Sequence, residues 1–334
     1  MDWTNKVVLV TGGTGSFGKK FVSAMLNRYH PAKIIIYSRD ELKQYEMQMK
    51  GFNHPSLRFF IGDIRDLERM KRAFQGVDIV IHAAALKQVP ACEYNPFEAV
   101  KTNILGTQNV IDAALDCGVK KVMAISTDKA VNPVNLYGVT KLAAEKLVIQ
   151  SNSYAGGRET RLSCVRYGNV IGSRGSVVPV FLHQRKSGEL QITDERMTRF
   201  WISLDQGIQF VIDCTEQMRG GEVFVPKIPS MSVKDLATAI APEAKVVVSG
   251  IRPGEKLHEM LISEDEARNT VEFDRMFVVQ PSGMTWFGRD WEKTGKPLPD
   301  GYSYASNNNP EWLDIPAIQK MIDPFVKAFE GERS

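Results

Sequence analysis

Short aliphatic runs alternate with helical stretches from the first residues of this chain, and that alternation restricts the possible folds more than any other feature. Lys6-Val7-Val8-Leu9-Val10 is a β-branched run that stops at glycines; Lys33-Ile34-Ile35-Ile36-Tyr37 and Leu57-Arg58-Phe59-Phe60-Ile61 repeat the pattern, and residues 78–82, 122–125 and 162–166 continue it. Residues 17–29, 66–74 and 98–117 read as helices between them. Strands that are apolar on both faces need helices on both sides, so the expected class is α/β with a doubly wound parallel sheet. The regularity fades after about residue 172. We expect a dinucleotide-binding domain over 1–171, with a returning segment at about 205–227 where Val223-Phe224-Val225 rejoins the sheet. Residues 172–204 and 228–285 are expected to form a smaller, interleaved substrate-binding domain, and 286–334, rich in Gly, Pro, Asn and Trp, an irregular wrap.

A chain of 334 residues, 43% hydrophobic and 24% charged, can bury a sizeable core. Its net charge of +3 is small and dispersed. It gives no reason to expect nucleic acid as a partner and suits an anionic small molecule. Cys92, Cys117, Cys164 and Cys214 are widely spaced without a CxxC pair, which predicts reduced thiols and no metal site. No apolar run reaches the ~20 residues of a membrane span, and the N-terminus lacks a signal-peptide pattern. The expectation is a cytoplasmic protein with no membrane partner.

The first strand runs into Thr11-Gly12-Gly13-Thr14-Gly15-Ser16-Phe17-Gly18 and then a helix. Gly12 permits the tight turn, Gly15 lets the backbone approach a pyrophosphate, and Gly18 allows the helix to pack closely on the sheet. Phosphates then meet the helix N-terminus, with Thr14, Ser16 and Phe17 counted among the cofactor contacts. After the second strand come Ser38 and Arg39, then Asp40. A guanidinium there holds a 2′-phosphate, which favours NADP; the alternative is that Asp40 reads the 2′-hydroxyl of NAD. Asp63 and Ile64 follow the third strand, where a carboxylate suits the adenine amino group; the alternative is a helix cap, which fits Asp66 as well and Asp63 less. Ala83, Ala84 and Ala85 leave room for a cofactor, and His82 before them reads as a packed core histidine.

Ser126-Thr127-Asp128-Lys129 ends another strand, and Tyr137 and Lys141 stand one helical turn apart beyond it. An ammonium one turn from a phenol lowers its pKa and anchors a ribose, which equips Tyr137 for proton-coupled hydride transfer. Asp128 and Lys129 add an acid and a second amine, groups that plain alcohol oxidation does not need. The plainer alternative for them is a solvated loop pair.

In order and spacing, Gly12/Gly15/Gly18, Ala83-Ala84-Ala85, Asn103 with Gly106-Thr107, and Tyr137/Lys141 resemble the extended short-chain dehydrogenase/reductase family, over most of the chain to about residue 280. Residues 126–130, 85–90 and 166–179, and the run Arg252-Pro253-Gly254-Glu255-Lys256-Leu257-His258-Glu259, are similar to nucleotide-sugar 4,6-dehydratases. Among these the resemblance is to the inverting UDP-N-acetylglucosamine branch of pseudaminic acid (flagellin-sugar) biosynthesis. It implies a Rossmann-like fold, a recycled NADP, a homo-oligomer, and UDP-GlcNAc met by Lys87, Asn169, Val178, Arg199, Arg252 and Glu255. Arg174 is a further candidate, and Lys87 is counted at the cofactor as well. Thr127 would orient the substrate hydroxyl and Tyr137 remove its proton. Lys129, depressed by burial or by positive neighbours such as Lys87, Lys141 or the nicotinamide, would act as base, and Asp128, raised by desolvation, as acid. Hexose 4,6-dehydratases show Asp-Glu where this chain has Asp128-Lys129, so their glutamate-base mechanism does not transfer. The rival readings are a UDP-sugar 4- or 5-epimerase on the same scaffold, or an NADP-binding regulatory protein without catalysis.

Overall fold

The computed structural model describes residues 1–171, 176–281 and 290–331. Strands β1 (Val7–Thr11), β2 (Lys33–Ser38), β3 (Leu57–Ile61), β4 (Ile79–His82), β5 (Lys121–Thr127) and β6 (Arg161–Tyr167) run parallel in the spatial order β3-β2-β1-β4-β5-β6. β4 is buried throughout and β1 and β2 are buried except at their ends, as Val- and Ile-rich strands covered on both faces must be. The order reverses between β1 and β4. In a doubly wound sheet that reversal opens a crevice at the carboxyl ends of the strands, where ligands bind.

Val223–Pro226 returns from the second half of the chain and pairs parallel to β6. Met276–Val279, Thr270–Glu272 and Lys296–Pro297 then extend the sheet antiparallel, to ten strands. Residues 270–279 are expected, from the sequence, in the smaller unit. They cover the edge of Val223–Pro226 instead, and so bury Phe277 and Val278 and close off unpaired backbone groups. The C-terminal segment also differs from the irregular wrap expected, because Ile315–Gly331 is a helix. Its Ile318 and Ile322 sit one turn apart in the smaller unit's core, a spacing masked in the sequence by the Asn- and Pro-rich stretch before it and by Pro324 within it.

That second core gathers Val178, Phe181, Leu182, Leu190, Trp201 and Leu236 around the same helix. Thr198–Ile202 runs between Ser230–Ser232 and Asn169–Val170 and brings the unit alongside the crevice. Arg166, 1% exposed on β6, ties helix Leu136–Gln150 to residues 261–266. It donates to Glu145 (Nη2–Oε2 2.7 Å, Nε–Oε1 3.1 Å), to Glu266 (Nη2–Oε1 2.8 Å, Nη1–Oε2 2.9 Å) and to the Leu261 carbonyl (2.8 Å). Among the described residues no helix is long and apolar enough to cross a membrane.

Candidate active site

A cleft of about 660 Å³ lies at the carboxyl ends of the strands, in the size range of a small-molecule site. Its floor is the glycine loop. Gly12 has φ 67°, and a Cβ there would come within 3.0 Å of the Ala84 backbone, so only glycine fits both the turn and the approach. A Cβ on Gly18 would collide with the Gly13 backbone, so Gly18 sets helix packing and does not itself line the cleft. Gly15 is the N-cap of helix Ser16–Ala24 and offers no side-chain cap, which leaves the first backbone N–H groups open to an anion. Thr14, Ser16, Phe17, Ile64, Ala83, Ala84, Ala85 and Lys87 line the same space.

Ser38, Arg39, Asp40 and Lys43 form one end of the cleft. Asp40 caps helix Glu41–Met49 by accepting from the Lys43 backbone N–H and pairs with the Lys43 ammonium at 2.6 Å, so its carboxylate is already engaged. Asp63 does not face the cleft as expected. Its carboxylate accepts from the Arg65 N–H and guanidinium and lies 3.8 Å from Arg39, and these arginines hold the carboxyl below the ordinary range although burial opposes them. Asp66 is the cap, accepting from the Arg69 backbone N–H. His82 is buried between the hydroxyls of Thr11 (2.7 Å) and Thr107 (3.1 Å), and burial pushes its pKa down to about 3, so it stays neutral.

The opposite end carries the chemistry. β5 delivers Ser126 and Thr127, a tight turn presents Asp128 and Lys129, and helix Leu136–Gln150 carries Tyr137 and Lys141. Asn135 caps that helix, accepting from the Gly138 N–H at 2.8 Å. Gly138 presses so closely on the Lys129 carbonyl that any Cβ would collide with it, which locks helix to turn. Thr127 donates to Asp128 Oδ1 (2.9 Å), and Lys129 Nζ donates to the same oxygen (3.0 Å). A residue absent from the sequence reading completes the group: Glu259 Oε1 stands 3.1 Å from Lys129 Nζ.

Burial alone would lower the Lys129 ammonium, but the carboxylates of Asp128 and Glu259 outweigh it and hold the pKa above an ordinary lysine. The expectation of a depressed Lys129 is therefore corrected, because the two acids outweigh both burial and the nearby Arg199 cation. Asp128 is raised by burial and by Glu259 against the pull of Lys129. Burial pushes Tyr137 up to about 12, opposed by the Lys129 ammonium and by Thr127. Lys141, expected to act on the phenol, donates instead to the Ile125 carbonyl at 2.7 Å, and burial lowers its pKa. The cation acting on Tyr137 here is Lys129.

Of the residues expected at the substrate, Lys87 and Asn169 line the cleft. Val178 does not: it is fully buried in the second core. Arg199 is also buried, and its guanidinium donates to the carbonyls of Thr198 (2.7 Å), Leu257 (3.0 Å) and Lys256 (3.0 Å) rather than facing the cleft. Arg252 and Glu255 lie outside the cleft lining, in a turn where Glu255 accepts from the Arg252 N–H at 3.2 Å. That turn docks through the Gly254 carbonyl on Asn135 (2.8 Å). Arg174 falls outside the described residues. Sequence reasoning missed Lys43 and Glu259. Glu259 closes the Arg252-to-Glu259 run, of which only the arginine and Glu255 had been used.

A family model of polysaccharide biosynthesis proteins matches residues 8–281. A Campylobacter jejuni serotype O:23/36 protein described as UDP-N-acetylglucosamine 4,6-dehydratase (inverting) is 55% identical, over 98% of this chain and 99% of its own. A Rickettsia typhi protein described as UDP-glucose 4-epimerase is 44% identical, over 79% of this chain and 80% of its own. Among solved structures, Pen from Bacillus thuringiensis superposes with a TM-score of 0.89 at 36% identity, covering 97% of this chain and 98% of that one.

Proposed function

The chain belongs to the polysaccharide biosynthesis protein family of extended short-chain dehydrogenases/reductases, and from that premise we propose that it is a UDP-N-acetylglucosamine 4,6-dehydratase that inverts C5 and uses NADP. The observation that carries this reading is the 3.0 Å contact between Lys129 and Asp128 beside Tyr137. Passing one proton along that hydrogen bond turns an ammonium and a carboxylate into an amine and a carboxylic acid, the two forms that an elimination consumes.

The glycine cradle and the uncapped helix N-terminus fit a dinucleotide, and the buried Ser126 hydroxyl without a partner leaves polar capacity beside it. A bound nicotinamide supplies a hydride acceptor that gives the same hydride back. Tyr137, in the phenolate form that a bound cationic nicotinamide would favour against the burial that raises the phenol, takes the proton of the C4 hydroxyl as that carbon is oxidised, and Thr127 orients the hydroxyl. The ketone acidifies C5–H. Lys129, as amine, takes that proton, and Asp128 gives one to the departing C6 hydroxyl, so water leaves and C5 and C6 become doubly bonded. The hydride would be given back at C6 by the bound nicotinamide, and a solvent proton reaching C5 on the face opposite Lys129 would leave an inverted 4-keto-6-deoxy sugar, suited to bacterial surface-sugar synthesis of the pseudaminic acid type. Arg39 supplies the positive edge for a 2′-phosphate, while Asp40 caps its helix and pairs with Lys43.

Incubation with UDP-GlcNAc in D₂O tests the reading. The expected product is lighter by one water, carries deuterium at C5 and has the inverted configuration there. An isomer of unchanged mass would establish instead the 4-epimerase reading that the Rickettsia relative favours. In the same assay Arg39→Ala weakens NADP roughly tenfold or more and leaves NAD unaffected, the loss expected of charge-assisted hydrogen bonds to phosphate.

A further inference from the structure

We propose that Glu259 is a positioning residue of the elimination: its carboxylate anchors Lys129 from the segment after the Pro-Gly turn and sets the pH range in which the Lys129–Asp128 pair works. The inference rests on the reading above and adds to it a group from outside the motif that carries the acid and base.

The mount is built for such a role. The Glu259 backbone is clamped on both sides: its N–H donates to Ser306 Oγ (3.0 Å) and its carbonyl accepts from the Ser306 N–H (2.8 Å). Arg199 grips the carbonyls of Lys256 and Leu257 just before it. The carboxylate itself, 3% exposed, is left half satisfied. Oε1 meets Lys129 at 3.1 Å, while Oε2 has no hydrogen-bond partner among the described residues and lies 3.9 Å from Lys256 Nζ. A rigid backbone carrying an incompletely paired buried charge is a poor structural staple and an effective electrostatic tool.

The groups facing Lys129 are Asp128 from its own turn, Tyr137 from helix Leu136–Gln150, Arg199 from strand Thr198–Ile202, and Lys256 and Glu259 from the segment after the Pro-Gly turn. Arg199 and Lys256 offset part of the Glu259 charge, with closest approaches of 3.9 Å each. What remains pushes protons onto Lys129 and Asp128 together. Removing the charge without changing the shape must therefore move both titrations to lower pH.

Glu259→Gln is that change. The measurement is deuterium incorporation at C5 against pH, beside the near-ultraviolet absorbance of reduced nicotinamide that reports the first hydride transfer. The expected result is a bell moved to acid by about one pH unit, so that exchange on the acid limb is roughly tenfold faster than in the unsubstituted enzyme. Hydride transfer persists, and Glu259→Asp restores part of the profile. A folded Glu259→Gln protein with lowered activity but an unmoved profile overturns the inference in favour of a purely structural residue. Loss of exchange at every pH with hydride transfer intact also overturns it, since Glu259 would then itself be the base. Absence of hydride transfer in the unsubstituted enzyme would instead overturn the underlying functional reading.

Discussion

Arg166 and Lys129 each sit between two carboxylates, one of which comes from residues 259–266, yet the two clusters differ in how completely they are paired. All five N–H groups of Arg166 are used, on Glu145, Glu266 and the Leu261 carbonyl, and the side chain is 1% exposed. Lys129 keeps 26% of its side chain exposed. Among the described residues its partners each leave one buried oxygen without a hydrogen bond, Asp128 Oδ2 and Glu259 Oε2. A satisfied network rigidifies a scaffold, whereas polar capacity left unmatched beside a cleft is held for something that is not part of the chain.

Two substitutions put that contrast at risk. Lys129→Met should cost about 10²- to 10⁴-fold in elimination per folded molecule, the usual size of a general acid–base contribution, and it should also lower denaturant stability, because the buried Asp128 and Glu259 carboxylates lose their shared cation. Near-normal elimination in this variant would reduce the cluster to another scaffold. Arg166→Met should act the other way. It strands Glu145 and Glu266 and should cost about 3–5 kcal/mol in denaturant unfolding, with turnover per folded molecule changed only a few-fold. Burial alone would raise the Glu266 carboxyl, but Arg166 overrides it and holds the pKa below the ordinary 4.5. Its stabilising contribution is thus present above pH 4.5 and is lost as pH falls through the depressed value. Arg166→Met should lack that acid-side decline. Full stability with lost turnover would reverse the assignment of the two clusters.

The contrast also shows what the sequence could reveal. The alternation of aliphatic runs and helices reads out β1 to β6, and the glycine loop reads out the cradle, because each depends on neighbours a few residues away. Thr127, Asp128, Lys129, Tyr137 and Lys141 are legible for the same reason, standing on one strand end and the next helix. Partners brought by tertiary packing are not. Arg166 and Glu266 lie 100 residues apart, and Glu259 reaches Lys129 only because Arg199 and Ser306 clamp its segment against the turn. Arg199 and Val178 fail as substrate contacts on the same ground. Residue type and motif pointed to a ligand, but local packing turns one onto backbone carbonyls and the other into a core. The helix Ile315–Gly331 had its apolar spacing in view, obscured by the composition of the stretch before it.

The smallest effect offers the finest test. Burial raises the Asp128 carboxyl, so the folded protein binds that proton more tightly than the unfolded chain does. The contribution to stability is therefore fully present below the unfolded value of 3.8 and declines as pH rises through the folded one. At neutral pH the carboxylate is a burden, tolerated for its chemistry. Asp128→Asn removes the titration while Lys129 keeps Glu259 as its counter-ion at 3.1 Å. The variant should be equal to the unsubstituted protein or up to about 1 kcal/mol more stable near pH 7, with the gap narrowing toward pH 4. Its elimination should fail, because an amide has no acid proton for the C6 hydroxyl. Denaturant midpoints across that pH range check the sign. A loss of several kcal/mol at neutral pH would place Asp128 with Arg166 among the groups that hold the fold together, and the distinction between the two clusters would fall.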